Sequence, residues 1–176
     1  KLYMYLQVEN PVRKRDRSKL DTSMAGLAAY ALKASGAMPG DVMFIGSVSG
    51  RNVPVVDLAL EAKRMGLTVI ALTSMTYSPQ VSSDHPCGKR LFELADLVLD
   101  NCAPAAEAMM DVEGLEPKMC AASGLSAAFL MWSVTTVAVE AMLQKGMTPG
   151  VLKSANFPGG NEFNAEVIRH YEEFGW

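Results

Sequence analysis

The residues best placed to do chemistry form one short segment, Gly46-Ser47-Val48-Ser49-Gly50-Arg51-Asn52. It lies between an apolar run, Asp41–Gly46, and Pro54, a residue tolerated in the first turn of a helix. A loop that leaves a strand and opens a helix offers free backbone N–H groups and the positive end of the helix dipole. The Ser47 and Ser49 hydroxyls add rotatable donors, and Gly50 allows close backbone approach. These are the requirements of an anion cradle. The same pattern also serves plain helix capping. No G-K-[ST] follows, so this is not a Walker loop, and it is not the G-x-G-x-x-G of a dinucleotide site. Thr73-Ser74 closes the next apolar run at the same edge and supplies more hydroxyls, so the two ends together point to a phosphorylated polar ligand.

The elements that must position this loop have a strand–turn–helix rhythm. Asp41–Gly46 reads as a buried strand, and Val55, Leu58, Ala59, Ala62 and Met65 follow at helical spacing up to Gly66. Thr68–Thr73 is a continuous apolar strand with no polar alternation, the signature of burial on both faces in a parallel sheet. Leu91, Leu94 and Ala95 give a short helix and Leu97–Asp100 a third strand. Strands alternating with helices imply βαβ crossovers and an α/β fold. A helix is expected over 22–35, a long apolar one over 124–145 and an amphipathic one over 161–174. Further strands are expected in 1–8 and near Lys118-Met119-Cys120. The whole chain, 1–176, reads as one domain, with 1–20 a connector and 21–176 the core.

Composition narrows the function classes. The 176 residues are 49% hydrophobic and 20% charged, enough apolar material for a core, so disorder is not the default reading. The net charge of −3, with Lys and Arg spread along the chain, argues against a nucleic-acid surface. No apolar run is expected to approach the ~20 residues of a membrane helix. Cys87, Cys102 and Cys120 are odd in number and contain no C-x-x-C pair, which disfavours disulfides and structural zinc. With no secretory signal, a cytoplasmic protein with reduced thiols is expected, needing no metal or cofactor. A flavodoxin-type electron carrier is disfavoured because no aromatic pair is placed to stack on a flavin.

Gly46–Asn52 with Pro54, Ala59-Leu60-Glu61-Ala62-Lys63 and Val69-Ile70-Ala71-Leu72-Thr73-Ser74 resembles the sugar isomerase (SIS) domain. His85-Pro86-Cys87-Gly88-Lys89-Arg90-Leu91-Phe92-Glu93, Asp96–Asn101 and Ser154-Ala155-Asn156 with Gly159-Gly160 are similar to an uncharacterised branch of that family, often labelled phosphosugar or phosphoheptose isomerases. The resemblance implies a three-layer α/β/α flavodoxin-like sandwich with about five mostly parallel strands. It also implies a dimer or tetramer that binds a sugar phosphate. The family's S-x-S-G-x-[ST] loop grips the phosphate. Matched here, that assigns Ser47, Val48, Ser49, Gly50 and Asn52 to the ligand, with Asn52 replacing the usual hydroxyl, and sets Thr73 or Ser74 near the sugar. The family's second Gly/Ser-rich loop and its catalytic glutamate have no counterpart before Asp41; upstream sequence is expected to supply them.

Aldose–ketose isomerisation needs a base to move a proton between adjacent carbons. His85, in the loop after the Thr73 strand end, is the candidate catalytic residue. Glu107 and Glu140 are weaker candidates, Arg90 is expected to pair with Glu93, and Ser123 to cap the long helix. Two activities fit: a phosphosugar isomerase, or a domain that senses a sugar phosphate without converting it.

Overall fold

The computed structural model describes residues 25–174. The strand expected in 1–8, and the 1–20 connector, lie outside the described residues. The chain divides into two compact units, Lys1–Leu130 and Met131–Trp176.

The first unit holds the α/β core. Helix α1 (Ala25–Ala34) precedes strand β1 (Val42–Gly46), helix α2 (Val53–Arg64), strand β2 (Thr68–Thr73), helix α3 (Leu91–Leu94) and strand β3 (Leu97–Asp100). The three strands form one parallel sheet, order β1-β2-β3, with Val42 beside Thr68 and Ile70 beside Leu97. Parallel neighbours require crossovers, which α2 and α3 provide. Central β2 is apolar and nearly all buried, as its unbroken Val-Ile-Ala-Leu sequence requires. Leu32, Ile45, Ala59, Ala62, Leu67, Val69, Ala71 and Leu91 make the core, so α1, α2 and α3 all contribute to it. Alanine at 59 and 62 lets α2 lie close to the sheet. Gly66 ends α2 at φ +81, with its own N–H on the Lys63 carbonyl.

The α/β reading and its parallel sheet therefore hold, with the described sheet three strands wide. The strand expected near Lys118 exists as β5 (Met119–Ala121), but it pairs antiparallel with a short strand not foreseen, β4 (Ala108–Met110). Neither three-residue strand buries a full face, and β4 has no apolar run long enough to mark it in the sequence.

Helix α4 (Ser123–Gln144) begins in the first unit and ends in the second; α5 (Gly160–Phe174) belongs to the second. The sequence-level expectation that no apolar run reaches membrane length is corrected by α4. Its 22 residues are long and apolar enough to span a bilayer by length and composition, and none is buried. In the second unit, the Asn164 side chain bonds both the N–H and the carbonyl of Lys153. The Lys153 ammonium sits 4.0 Å from the Phe163 ring centre. The Ser154–Gly160 turn thus leads into α5 through specific polar contacts.

Candidate functional site

The loop from Ser47 to Asn52 joins β1 to α2 at the carboxyl end of the sheet, where ligands bind in open α/β folds. Its backbone is held by five consecutive carbonyls. Val48 O accepts from the Thr73 hydroxyl at 2.9 Å and from Ser74 N–H at 3.2 Å. Ser49 O accepts from the Ser78 hydroxyl at 2.6 Å. Gly50 O accepts from Leu91 N–H at 2.8 Å, and Arg51 O from Asp84 N–H at 3.0 Å. Asn52 O accepts from Val55 and Val56 N–H, both at 3.1 Å, as the first turn of α2.

A trans peptide points its C=O and the next N–H in opposite directions. With the carbonyls of 48–52 all turned onto the scaffold, the N–H groups of 49–53 are turned away from it. Gly50 N–H meets the Ser47 hydroxyl at 3.2 Å. Among the described residues the N–H groups of Ser49, Arg51, Asn52 and Val53 have no hydrogen-bond partner. Asn52 is the N-cap of α2, yet its side chain makes no capping bond. Its amide is therefore available, where an asparagine in this place would ordinarily cap.

Gly50 is required twice over. Its φ is +60, and a Cβ there would lie 2.9 Å from the Leu91 Cβ. The close approach to Leu91 seats α3 under the loop.

The structure brings Ser47, Val48, Ser49, Gly50 and Asn52 together in this loop, with Thr73 and Ser74 directly beneath. The two latter hydroxyls are fully buried. Thr73 Oγ1 is bonded to Val48 O and Ser74 Oγ donates to Ala103 O at 2.6 Å. Thr73 Oγ1 braces the loop, whereas Ser74 Oγ ties the end of β2 to the chain after β3 and the Ser74 N–H holds Val48 O. The sequence sets Thr73 or Ser74 near the sugar; in the structure both hydroxyls donate to main-chain carbonyls.

What sequence reasoning missed is that the segment Ser78–Leu91 holds the loop. It wraps the loop as a strap, through Ser78, Asp84 and Leu91, and its only regular piece is the 3-10 turn Ser78–Gln80. Arg90 fixes the strap by donating to the carbonyls of Ser78, Pro79 and Val81, each within 3.1 Å. It also pairs with Glu93, as expected, and the guanidinium holds the Glu93 carboxyl below its ordinary range. Arg51 pairs with Asp84 through both carboxylate oxygens, and that contact lowers the Asp84 carboxyl likewise. Ser78-Pro79 is a turn signal in the sequence, but nothing in its spacing names the Ser49 carbonyl as partner.

His85 lies in the strap against α2. Its Nε2 meets Asp57 Oδ1 at 2.9 Å, and Cys87 N–H donates to its Nδ1 at 3.0 Å. Because Nδ1 accepts, the ring proton sits on Nε2 and is donated to the carboxylate. Asp57 is 6% exposed and the His85 side chain 13%. Both ring nitrogens are engaged, so in this arrangement His85 ties the strap to α2 and presents no lone pair to a ligand. Glu107 accepts from the Ser123 hydroxyl at the start of α4, Glu140 is exposed on α4, and His170 stacks with Phe174 on α5. A concavity of about 310 Å³ lies elsewhere, between α1 and β1, lined by Leu32, Ser35, Val42, Phe44 and Leu67 among others; no loop residue lines it.

Comparison with known proteins agrees with this geometry. Residues 7–74, which include the whole loop and the β2 end, match the SIS domain family. A UPF0309 protein of Shouchella clausii is 37% identical over 155 residues, covering 88% of this chain and 63% of its own length. A UPF0309 protein of Listeria monocytogenes is 40% identical, covering 82% of this chain and 62% of its own length. A UPF0309 protein of Streptomyces coelicolor is 36% identical over 84% of this chain and 59% of its own. The chain thus spans about three-fifths of the length of the curated relatives it matches. The segment that matches the SIS domain family model contains the strand, loop and first helical turns of the candidate site, and the chain is similar over most of its length to UPF0309 proteins.

Proposed function

We propose that the β1–α2 loop binds the phosphate of a phosphorylated sugar. One observation carries this reading: the five successive carbonyls of Val48–Asn52 are bonded to β2, the strap or the first turn of α2, so the N–H groups that follow them point the other way. A loop whose Val48–Asn52 carbonyls are engaged and whose N–H groups are turned the other way suits an anion better than a cation. The N-terminal end of α2 adds its dipole, and Ser47, Ser49 and Asn52 add side-chain donors. The sugar follows from the family.

A second reading, that the protein isomerises the sugar phosphate as an aldose–ketose isomerase of the phosphoheptose-like kind, draws on the Asp57–His85 pair. A carboxylate that orients an imidazole is the usual setting of a proton-transferring histidine. For His85 to act, Nδ1 must leave the Cys87 N–H. Without that step, the chain binds and senses the ligand. The wider reading is of a five-stranded flavodoxin-like sandwich in a cytoplasmic homo-oligomer. Leu125, Phe129 and Trp132 on α4, the last 75% exposed, support an oligomer, since a second copy would cover them.

Calorimetric titration of a sugar-phosphate panel tests the binding claim. Ser47→Ala combined with Ser49→Ala is expected to remove most of the affinity. Unchanged binding by the double variant would overturn the assignment.

A further inference from the structure

We propose that Asp84 sets the affinity and charge selectivity of the phosphate loop by holding the Arg51 guanidinium away from the bound anion. The proposal rests on the reading that this loop takes a phosphate.

Arg51 is part of the loop itself, between Gly50 and the N-cap of α2. Its N–H is one of those turned away from the scaffold, so the residue belongs to the stretch of backbone that would hold the anion. Yet the guanidinium is committed to a residue 33 positions away. Nε donates to Asp84 Oδ2 at 3.0 Å, and a second nitrogen of the fork reaches Oδ1. The Asp84 N–H closes the link by donating to the Arg51 carbonyl at 3.0 Å. Main chain and side chain of the two residues are thus joined together.

The chemistry of the fork makes this a competition. A guanidinium matches the oxygens of a carboxylate and of a phosphate equally well, with two parallel N–H bonds in either case. A phosphate arriving at the loop meets a cation already neutralised by a carboxylate. Among the described residues the Asp84 carboxylate binds nothing but Arg51. Asp96 offers the contrast: it pairs with Lys63 but also accepts Val69 N–H at 2.8 Å, so its carboxylate has a place in the sheet. Asp84 has no such second task. The side chains of Arg51 and Asp84 are 37% and 45% exposed, so the pair lies where a solution anion can contend for it. The intact loop accordingly binds through neutral donors and the dipole of α2, with its own cation held in check.

The test is calorimetric titration of the chain with inorganic phosphate at low and at physiological salt. Asp84→Asn keeps the backbone link and releases the guanidinium. It is expected to tighten phosphate binding roughly tenfold, the scale of one charge-assisted bidentate contact. It is also expected to make affinity fall more steeply with salt, because a net cation now faces the ligand. Adding Arg51→Ala to Asp84→Asn is expected to cancel both gains. A folded Asp84→Asn protein that binds phosphate no better than the parent, while Ser47→Ala with Ser49→Ala still abolishes binding, overturns the role of Asp84 and leaves the loop assignment standing. Absence of phosphate binding by both parent and Asp84→Asn overturns the two together. Should Asp84→Asn fail to fold, the parent chain decides: a shallow salt dependence of its phosphate affinity is expected, and a steep one contradicts a neutralised Arg51.

Discussion

At the scale of single residues, the site is a matter of which polar atoms are already in use. Thr73 and Ser74 carry the right chemistry for a ligand, but their hydroxyls hold Val48 and Ala103 in place. Ser47, Ser49 and Asn52 are the side-chain donors of the proposed site. His85 is tied to α2 through its bond to the buried Asp57 carboxylate. His85→Ala is expected to destabilise the fold by about 1–3 kcal/mol, because a mostly buried carboxylate loses a donor. A urea midpoint unchanged from the parent would show that the pair contributes nothing. Residue types were legible in the sequence; which of two hydroxyls faces a ligand was not, because that depends on how closely neighbouring chain approaches.

At the scale of elements, β1, α2, β2 and β3 follow from local pattern. Thr68–Thr73 and Leu97–Asp100 are read to the residue from unbroken apolar runs bounded by polar ones. The strap from Ser78 to Leu91 has no such pattern. It is irregular, and its order comes from Arg90 gathering three carbonyls and from Leu91 packing on Gly50. Long-range partners of that kind leave no period in a sequence. Gly50 is where loop, strap and α3 meet. Gly50→Ala would force a Cβ against Leu91 at φ +60. It is expected to cost about 1–3 kcal/mol, and to weaken phosphate binding in parallel, because the carbonyl bond to Leu91 N–H sets the loop's direction. A variant with parental Tm and parental affinity would contradict the close fit.

At the scale of the whole molecule, the first unit holds a parallel three-stranded sheet with the β1–α2 loop at its carboxyl end, and the second holds the end of α4 with α5. The apolar exposure of α4, with Leu125, Phe129 and Trp132 on its surface, was half legible: the sequence shows an apolar helix and leaves its covering undetermined. The central claim concerns main-chain donors, which no side-chain substitution removes outright. It is tested most directly by amide NMR of the chain titrated with a sugar phosphate and with the same sugar lacking phosphate. The account predicts that the N–H signals of Ser49, Arg51, Asn52 and Val53 move most with the phosphorylated sugar and stay in place with the other. Shifts confined to the α1–β1 concavity around Leu32 and Phe44, with the loop amides unmoved, would contradict it.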